Sequence, residues 1–148
     1  MDTEALLRSL NALDVRYVVI GATAFPVHGY ARATLDVDVF IEPAQANAER
    51  VLAALAAFGY DVSDLSVEDL LTKKVLIRQY VVQADIHPFV KGVDFEGVWR
   101  NRVVARIGRT EAAFASLSDL ILMKRAAGRP KDLEDLRVLL ELEKAPGP

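Results

Sequence analysis

The chain has 148 residues, of which 52% are hydrophobic and 26% charged, and it contains no cysteine. This composition predicts one globular domain and excludes disulfides, thiolate catalysis and cysteine-based zinc sites. The net charge of −3 argues against a surface built as a whole to bind nucleic acid, so any basic site is local. The acidic start MDTEALLRSLNALD is unlike a signal peptide, and no apolar run reaches the roughly 20 residues of a membrane span. We therefore expect a cytoplasmic protein with no membrane partner.

Turn residues and hydrophobic spacing divide the chain into alternating helices and strands. The first half is predicted to contain a helix capped by Thr3, strands at 17–20 and 35–42 with a short helix at 23–30 between them, and a helix between Pro43 and Gly59. A turn of helix capped by Ser66 follows, and then strands at 74–80 and 81–87. The last part is predicted to contain a helix at 95–102, strands at 103–107 and 111–115, and two helices separated by Gly128 and Pro130. This order predicts an α/β fold with a mixed β-sheet of about five strands, flanking helices and a helical C-terminus. We expect one domain at 1–143 and a disordered tail at 144–148.

The second predicted strand carries two carboxylates. Residues two apart share a strand face, so Asp36 and Asp38 point the same way, with Cα atoms about 7 Å apart. Adjacent carboxylates repel each other, and a hard divalent cation such as Mg²⁺ relieves that repulsion because it takes oxygen ligands. The same pattern also arises on exposed strands that bind no metal.

Before this strand lies a turn at Gly21 and Ala22. A glycine between a strand and a helix lets backbone N–H groups approach an anion, and the helix N-terminus adds partial positive charge. Together with the carboxylates, this turn suits a nucleoside triphosphate with its Mg²⁺. Asp85, in VVQADIHPF, is the candidate third carboxylate, because a charge inside a strand is costly without a partner or a function.

The spacing of these motifs has a family likeness. The sequence GA, then thirteen residues, then DVD and a distant ADI resembles the nucleotidyltransferase superfamily of the DNA polymerase beta type. The strings GATAFPVHGYARATLDVDVFI and SLSDLILMKRAAGRPKDLEDLRVLLE are similar to bacterial minimal nucleotidyltransferases related to abortive-infection toxins and their antitoxin-linked relatives. The positions that match the usual C-terminal motif of that group are Lys124, Arg129, Lys131, Asp132 and Asp135.

The resemblance implies transfer of a nucleoside monophosphate from an NTP to a hydroxyl of an RNA such as tRNA, a protein or a small molecule. Asp36 and Asp38 would hold two Mg²⁺ ions, and Asp85 would complete one metal site and help to activate the hydroxyl. A partner protein or a homodimer would supply the acceptor surface that so small a chain lacks. The relatives also imply a place in a toxin–antitoxin system.

The expected nucleotide contacts lie in the same segment. The resemblance implies that the amides of Gly21 and Ala22 hold the triphosphate, and Thr23 is a candidate for the hydroxyl that relatives often carry in this turn. Arg32 and Thr34 precede the carboxylate strand and are further candidates for the nucleotide or the leaving pyrophosphate. The alternative for Arg32 is an ion pair with a nearby aspartate.

Three other side chains allow two interpretations. Lys124 falls on the inward stripe of its helix, where it either contacts a phosphate or extends its charge to solvent, and the resemblance favours the phosphate. His28 and His87 are interpreted as structural, although His87 shares a strand face with Asp85. In the last helix, we expect Leu133, Leu136 and Leu140 to face inward.

A second reading of the whole chain stays open. It is a non-catalytic nucleotidyltransferase-fold protein that acts as a binding subunit, as an antitoxin does. Retention of Asp36, Asp38 and Asp85 favours the enzyme over this subunit.

Overall fold

A six-stranded mixed sheet organises the computed structural model, which describes residues 2–34 and 36–145. Its strands are β1 (Tyr17–Ile20), β2 (Asp36–Ile41), β3 (Val75–Ile77), β4 (Gln83–His87), β5 (Val103–Ile107) and β6 (Thr110–Phe114). They lie in the order β3-β4-β2-β1-β6-β5. The pairs β2–β4 and β1–β6 are parallel, and the other three pairs are antiparallel. The predicted α/β class and mixed sheet are confirmed, with one strand more than the approximate count.

Helices flank this sheet. They are α1 (Thr3–Ala12), α2 (Gln45–Phe58), α3 (Val67–Thr72), α4 (Phe95–Arg100), α5 (Leu117–Ala127) and α6 (Leu133–Lys144), with 3₁₀ segments at Gly21–His28 and Pro130–Asp132. None of the helices within the described ranges has both the length and the apolar character needed to cross a bilayer. The last helix, α6, ends at Lys144. Residues 146–148 of the expected tail lie outside the described part of the chain.

Local sequence signals explain most helix ends. Ser66 caps α3 in a capping box with Asp69, and Gly128 ends α5 in the left-handed conformation. The first helix differs from expectation, because Asp2 rather than Thr3 is its cap and accepts a hydrogen bond from the backbone N–H of Ala5. A carboxylate caps a helix as well as a hydroxyl does, so Asp2 takes the capping role that was predicted for Thr3.

The segment between β1 and β2 also differs in type. It is a 3₁₀ helix that begins at Gly21, two residues earlier than the predicted helix, and it ends at Gly29 as expected. Pro26 lies inside it and has no N–H to donate, which disfavours a regular α-helix here. The predicted first residue of the following strand, Leu35, lies outside the described residues.

Alternation along β2 separates two faces of the sheet. Val37, Val39 and Ile41 are buried on one face, whereas Phe40 contacts Phe95 of α4 on the face that carries the two aspartates. Helix α5 also lies on the aspartate face, which leaves α1 and α2 to cover the other one. The aspartates therefore lie where β2 meets α5 rather than at an open sheet edge.

One expectation about the last helix is wrong. Leu133 is 63% exposed, whereas Leu139 is fully buried and Leu136 and Leu140 pack at the margin of the core. The buried stripe here runs through Asp132, Asp135 and Leu139, because the two aspartates face Lys124, and Leu133 falls outside it.

Candidate active site

The turn after β1 lies directly against Asp38. Gly21 has a φ of +67°, and a Cβ atom added there would lie 2.6 Å from Oδ2 of Asp38. Such a contact is closer than non-bonded atoms tolerate, and positive φ already disfavours side chains. Glycine at this position therefore keeps the backbone and the carboxylate in contact.

Two of the three predicted carboxylates are direct neighbours across parallel strands. Asp38 of β2 is in register with Asp85 of β4, and Asp36 is in register with Gln83. Asp85 is only 6% exposed. Parallel pairing of these strands thus brings together two carboxylates that are far apart in the sequence, as the predicted convergence required.

A histidine completes this group. Nε2 of His87 lies 2.8 Å from Oδ1 of Asp38, and ligand atoms of Asp38, Asp85 and His87 all lie within 4.8 Å of one another. We call these three residues the metal-ligand cluster. Their atoms are close enough for one cation to bridge them after small side-chain rotations.

Asp36 stands beside the cluster. Its Oδ1 atom is buried and has no hydrogen-bond partner among the described residues. A buried carboxylate oxygen without a partner is unfavourable, so this atom fits a cationic ligand. Asp38 and Asp85 are therefore direct neighbours, whereas Asp36 is two register positions away from them and lies outside the metal-ligand cluster.

An arginine already contacts the third carboxylate. The Nη1 atom of Arg78 donates a hydrogen bond to Oδ1 of Asp85 at 2.5 Å. That bond raises the pKa of Arg78 above its ordinary value, and the charges of Asp85, Asp36 and Asp38 add to the effect. Because Arg78 engages Oδ1 alone in this contact, the carboxylate has a second oxygen to offer.

A cavity of about 180 Å³ opens in front of Gly21, Asp38 and His87. Three basic side chains line its other side: Lys74 before β3, Lys124 of α5 and Arg129 after it. The cavity thus has an acidic wall and a basic wall, an arrangement that suits a cation together with an anionic ligand such as a phosphate.

The basic wall is held in place by buried carboxylates. Lys124 Nζ lies 3.0 Å from Oδ1 of Asp132 and 3.3 Å from Oδ2 of Asp135. Arg129 also donates to Asp132, and this bond, with the nearby Lys124, lowers the pKa of Asp132 to about 2. Lys124 is therefore ion-paired with buried carboxylates instead of extending its charge to solvent, and because it also lines the cavity its contact with a phosphate stays a prediction.

The other expected nucleotide contacts lie elsewhere. Ala22, Thr23, Arg32 and Thr34 line a separate groove of about 440 Å³. The hydroxyls of Thr23 and Thr34 donate hydrogen bonds to the backbone carbonyl of Asp36, so both brace the start of β2. The structure does not bring these four residues together with Gly21 and Lys124 in one cavity.

Arg32 forms an ion pair with an aspartate, as the alternative interpretation of this residue predicts. Its guanidinium forms an ion pair with Asp135 and lies over the Phe25 ring. Burial would raise the pKa of Asp135, but hydrogen bonds from Tyr30 and Arg32 and the charge of Lys124 outweigh burial and lower it. Arg32 therefore ties α6 to the segment before β2.

The two histidines have different surroundings. His28 Nε2 lies 2.7 Å from the carbonyl oxygen of Ala115, a contact that joins the 3₁₀ helix to the end of β6. Its interpretation as structural fits this position. His87, in contrast, lines the cavity beside the aspartates.

Comparison with known proteins bears on this geometry. Residues 1–140 match a family described as nucleotidyltransferase of unknown function (DUF6036). The chain belongs to this nucleotidyltransferase family. The match includes the metal-ligand cluster and the basic wall, and it confirms the nucleotidyltransferase part of the resemblance. No curated protein matches the chain.

In this nucleotidyltransferase, sequence reasoning missed part of the site. A basic residue at the edge of a strand is ordinarily solvated, yet Lys74 lines the cavity and Arg78 contacts Asp85. Their placement depends on how β3 pairs with β4, which no local signal fixes. His87 carried a usable signal, because it lies two residues after Asp85 on the same strand face.

Proposed function

We propose that the protein transfers a nucleoside monophosphate from an NTP to an acceptor hydroxyl, using a divalent cation held by Asp36, Asp38 and Asp85. The observation that carries this proposal is the in-register pair Asp38–Asp85, whose Asp38 contacts Gly21 and lines a cavity together with the basic wall. Family membership supports a nucleotide substrate. The acceptor class is an RNA, a protein or a small molecule.

The residues present fit a divalent cation. The donor set offers carboxylate oxygens from two strands, and Asp36 has a buried oxygen without a partner in the described chain. Mg²⁺ is the first expectation for such oxygens. When bound, the cation neutralises triphosphate charge and polarises the phosphate that reacts.

The protein groups then have separate tasks. The backbone amide of Gly21, the first in the 3₁₀ helix, is proposed to donate to a phosphate oxygen, because the first N–H groups of a helix have no partner within it, whereas Ala22 lines the separate groove. Lys74, Lys124 and Arg129 balance the remaining negative charge. Lys124 is oriented for this by its two aspartate partners.

The chemical step conserves atoms and charge. The acceptor oxygen bonds to the α-phosphorus as the bond between that phosphorus and the bridging oxygen breaks, and pyrophosphate leaves with the bridging oxygen. Asp85 is proposed to accept the hydroxyl proton on the oxygen that Arg78 does not engage.

A second candidate function is a non-catalytic binding subunit. The observation that favours it is that the charges of the site already have internal partners: Arg78 on Asp85, and Asp132 and Asp135 on Lys124. A site satisfied in this way needs no ligand for stability.

One experiment separates the two functions. The purified protein is incubated with each α-³²P-labelled NTP, MgCl₂ and a cell lysate, and labelled macromolecules and metabolites are resolved. Transfer by the wild type that is lost in Asp38→Asn supports the enzyme. The matched control is Asp14→Asn, which changes an exposed aspartate in the turn after α1.

Calorimetry with MgCl₂ and ATP covers the case in which the lysate lacks the acceptor. Mg²⁺-dependent ATP binding that disappears in Asp36→Ala supports the enzyme, and its absence in the wild type supports the binding subunit. Growth arrest on expression of the wild type, relieved by Asp38→Asn, would support the toxin-related role.

A further inference from the structure

His87 lies in the cluster in a way that an ordinary structural histidine does not. It follows Asp85 by two residues on β4, so both side chains emerge on the same face of the sheet. Its backbone is paired with Phe40, yet its ring reaches back along β2 to Asp38, with Nε2 2.8 Å from Oδ1. His87 therefore presents a ring nitrogen to the region between the two carboxylates.

The spacing of the three donor atoms is that of a mononuclear site. Ligands about 2.0–2.2 Å from a metal ion lie roughly 3–4 Å from each other. The donor atoms of the metal-ligand cluster lie within 4.8 Å of one another, so slight rotation of the side chains brings them to this spacing. Gly21 leaves room on the Oδ2 side of Asp38, where a side chain would otherwise stand.

Ligand chemistry then separates the possible ions. Mg²⁺ is bound through oxygen and keeps its waters in preference to imidazole nitrogen. First-row transition-metal dications accept both imidazole and carboxylate, and their affinity for nitrogen ligands increases along the series from Mn²⁺. A site of two carboxylates and one imidazole therefore discriminates in favour of the transition metals.

We propose that Nε2 of His87 is a direct metal ligand, and that the cluster of Asp38, Asp85 and His87 takes a first-row transition-metal dication such as Mn²⁺ in preference to Mg²⁺. This inference rests on the proposed function, in that it names the cation of the same site. It replaces the structural interpretation of His87 with a role in metal choice.

The test compares two ions on two histidine variants. Chelator-treated full-length protein is titrated with MnCl₂ and with MgCl₂ by calorimetry, for the wild type, His87→Gln and His28→Gln. In His87→Gln the new side-chain amide keeps a donor near Asp38 but removes the ring nitrogen. His28→Gln is the control because His28 contacts only the Ala115 carbonyl in the hydrogen bonds described. Thermal unfolding of each metal-free variant reports on folding.

The wild type should bind Mn²⁺ at least about tenfold more tightly than Mg²⁺, and His87→Gln should lose roughly 10- to 100-fold in Mn²⁺ affinity with little change for Mg²⁺. His28→Gln should behave as the wild type does. If His87→Gln fails to fold, a measurement on the wild type alone still tests the proposal. Substoichiometric Zn²⁺, a diamagnetic dication of the same series, should shift the ring ¹⁵N NMR signal of His87 Nε2 and leave the ring signals of His28 in place.

Equal affinity for Mn²⁺ and Mg²⁺, a parallel loss of both in His87→Gln, or an unshifted His87 Nε2 signal with Zn²⁺ bound would overturn the inference. Each of these outcomes leaves the proposed function standing if Mg²⁺-dependent ATP binding is still lost in Asp36→Ala. Failure of every dication to bind, with or without ATP, would overturn both.

Discussion

Replacement of Gly21 by alanine tests the contact between the turn and the carboxylate. The new Cβ would lie 2.6 Å from Oδ2, 3.2 Å from Cγ and 3.3 Å from Cβ of Asp38, so the whole Asp38 side chain must rotate. A non-glycine residue in the left-handed region costs about 1–2 kcal/mol. At the size of this chain, that cost lowers the Tm by roughly 2–8 °C.

The stability cost alone does not identify the contact, and a matched variant isolates it. Gly128 has a φ of +61°, close to the +67° of Gly21, and the nearest atom to an added Cβ there is the Arg125 carbonyl oxygen at 3.6 Å. Gly128→Ala therefore carries the same backbone strain without pressing on a carboxylate. Gly21→Ala should lose at least as much stability as Gly128→Ala in denaturant unfolding, because it also displaces Asp38.

Dication affinity should distinguish them. We expect Gly21→Ala to lose at least about tenfold in Mn²⁺ or Mg²⁺ affinity by calorimetry, because metal sites depend on ligand orientation. Gly128→Ala should stay within about twofold of the wild type. If Gly21→Ala folds and binds the ion as tightly as Gly128→Ala does, then the position of Asp38 against the turn has no part in metal binding.

Three further predictions follow from ion pairs and caps. Arg78→Gln should strengthen dication binding by about fivefold in calorimetry, because the guanidinium no longer competes with the cation for Asp85; weaker binding would mean that Arg78 positions the carboxylate. The pKa of Asp132 is lowered from 3.8 to about 2, so its contribution to stability is complete above about pH 4 and is lost as the pH falls to 2. The difference in unfolding free energy between the wild type and Asp132→Asn should shrink by about 2 kcal/mol across that range, and a constant difference in urea titrations would contradict the assignment. Ser66→Ala should cost about 1 kcal/mol by loss of the α3 capping box and leave ion affinity unchanged; an unchanged Tm would show that the cap is dispensable.

The sequence predicted the acidic half of the site because that half depends on short periodicities. The alternation of Asp36 and Asp38 on one strand and the isolated charge of Asp85 on another were enough to expect convergence. The one condition was that the two strands be neighbours, and β2 and β4 are. The glycine turn could be predicted from its position between the two strands alone.

The basic half could not be predicted in the same way. Arg32 pairs with Asp135, and these residues are 103 positions apart, so no local pattern connects them. Thr23 and Thr34 were plausible phosphate contacts by their position, yet their hydroxyls donate to the backbone of β2. Lys74 could not be recognised from the sequence, because a lysine at a strand edge is ordinary. Only the neighbouring helix α5 forms the cavity that Lys74 lines.

The parallel pairing of β2 with β4 has a consequence for how the protein acquires its site. Parallel neighbours need a long crossover, and here α2, α3 and β3 all intervene between Asp38 and Asp85. A nascent or partly refolded chain therefore has the separate acidic groups without having a coordination centre. Binding of a cation therefore reports on native topology, because it requires the long-range pairing of β2 with β4 and not helix formation alone.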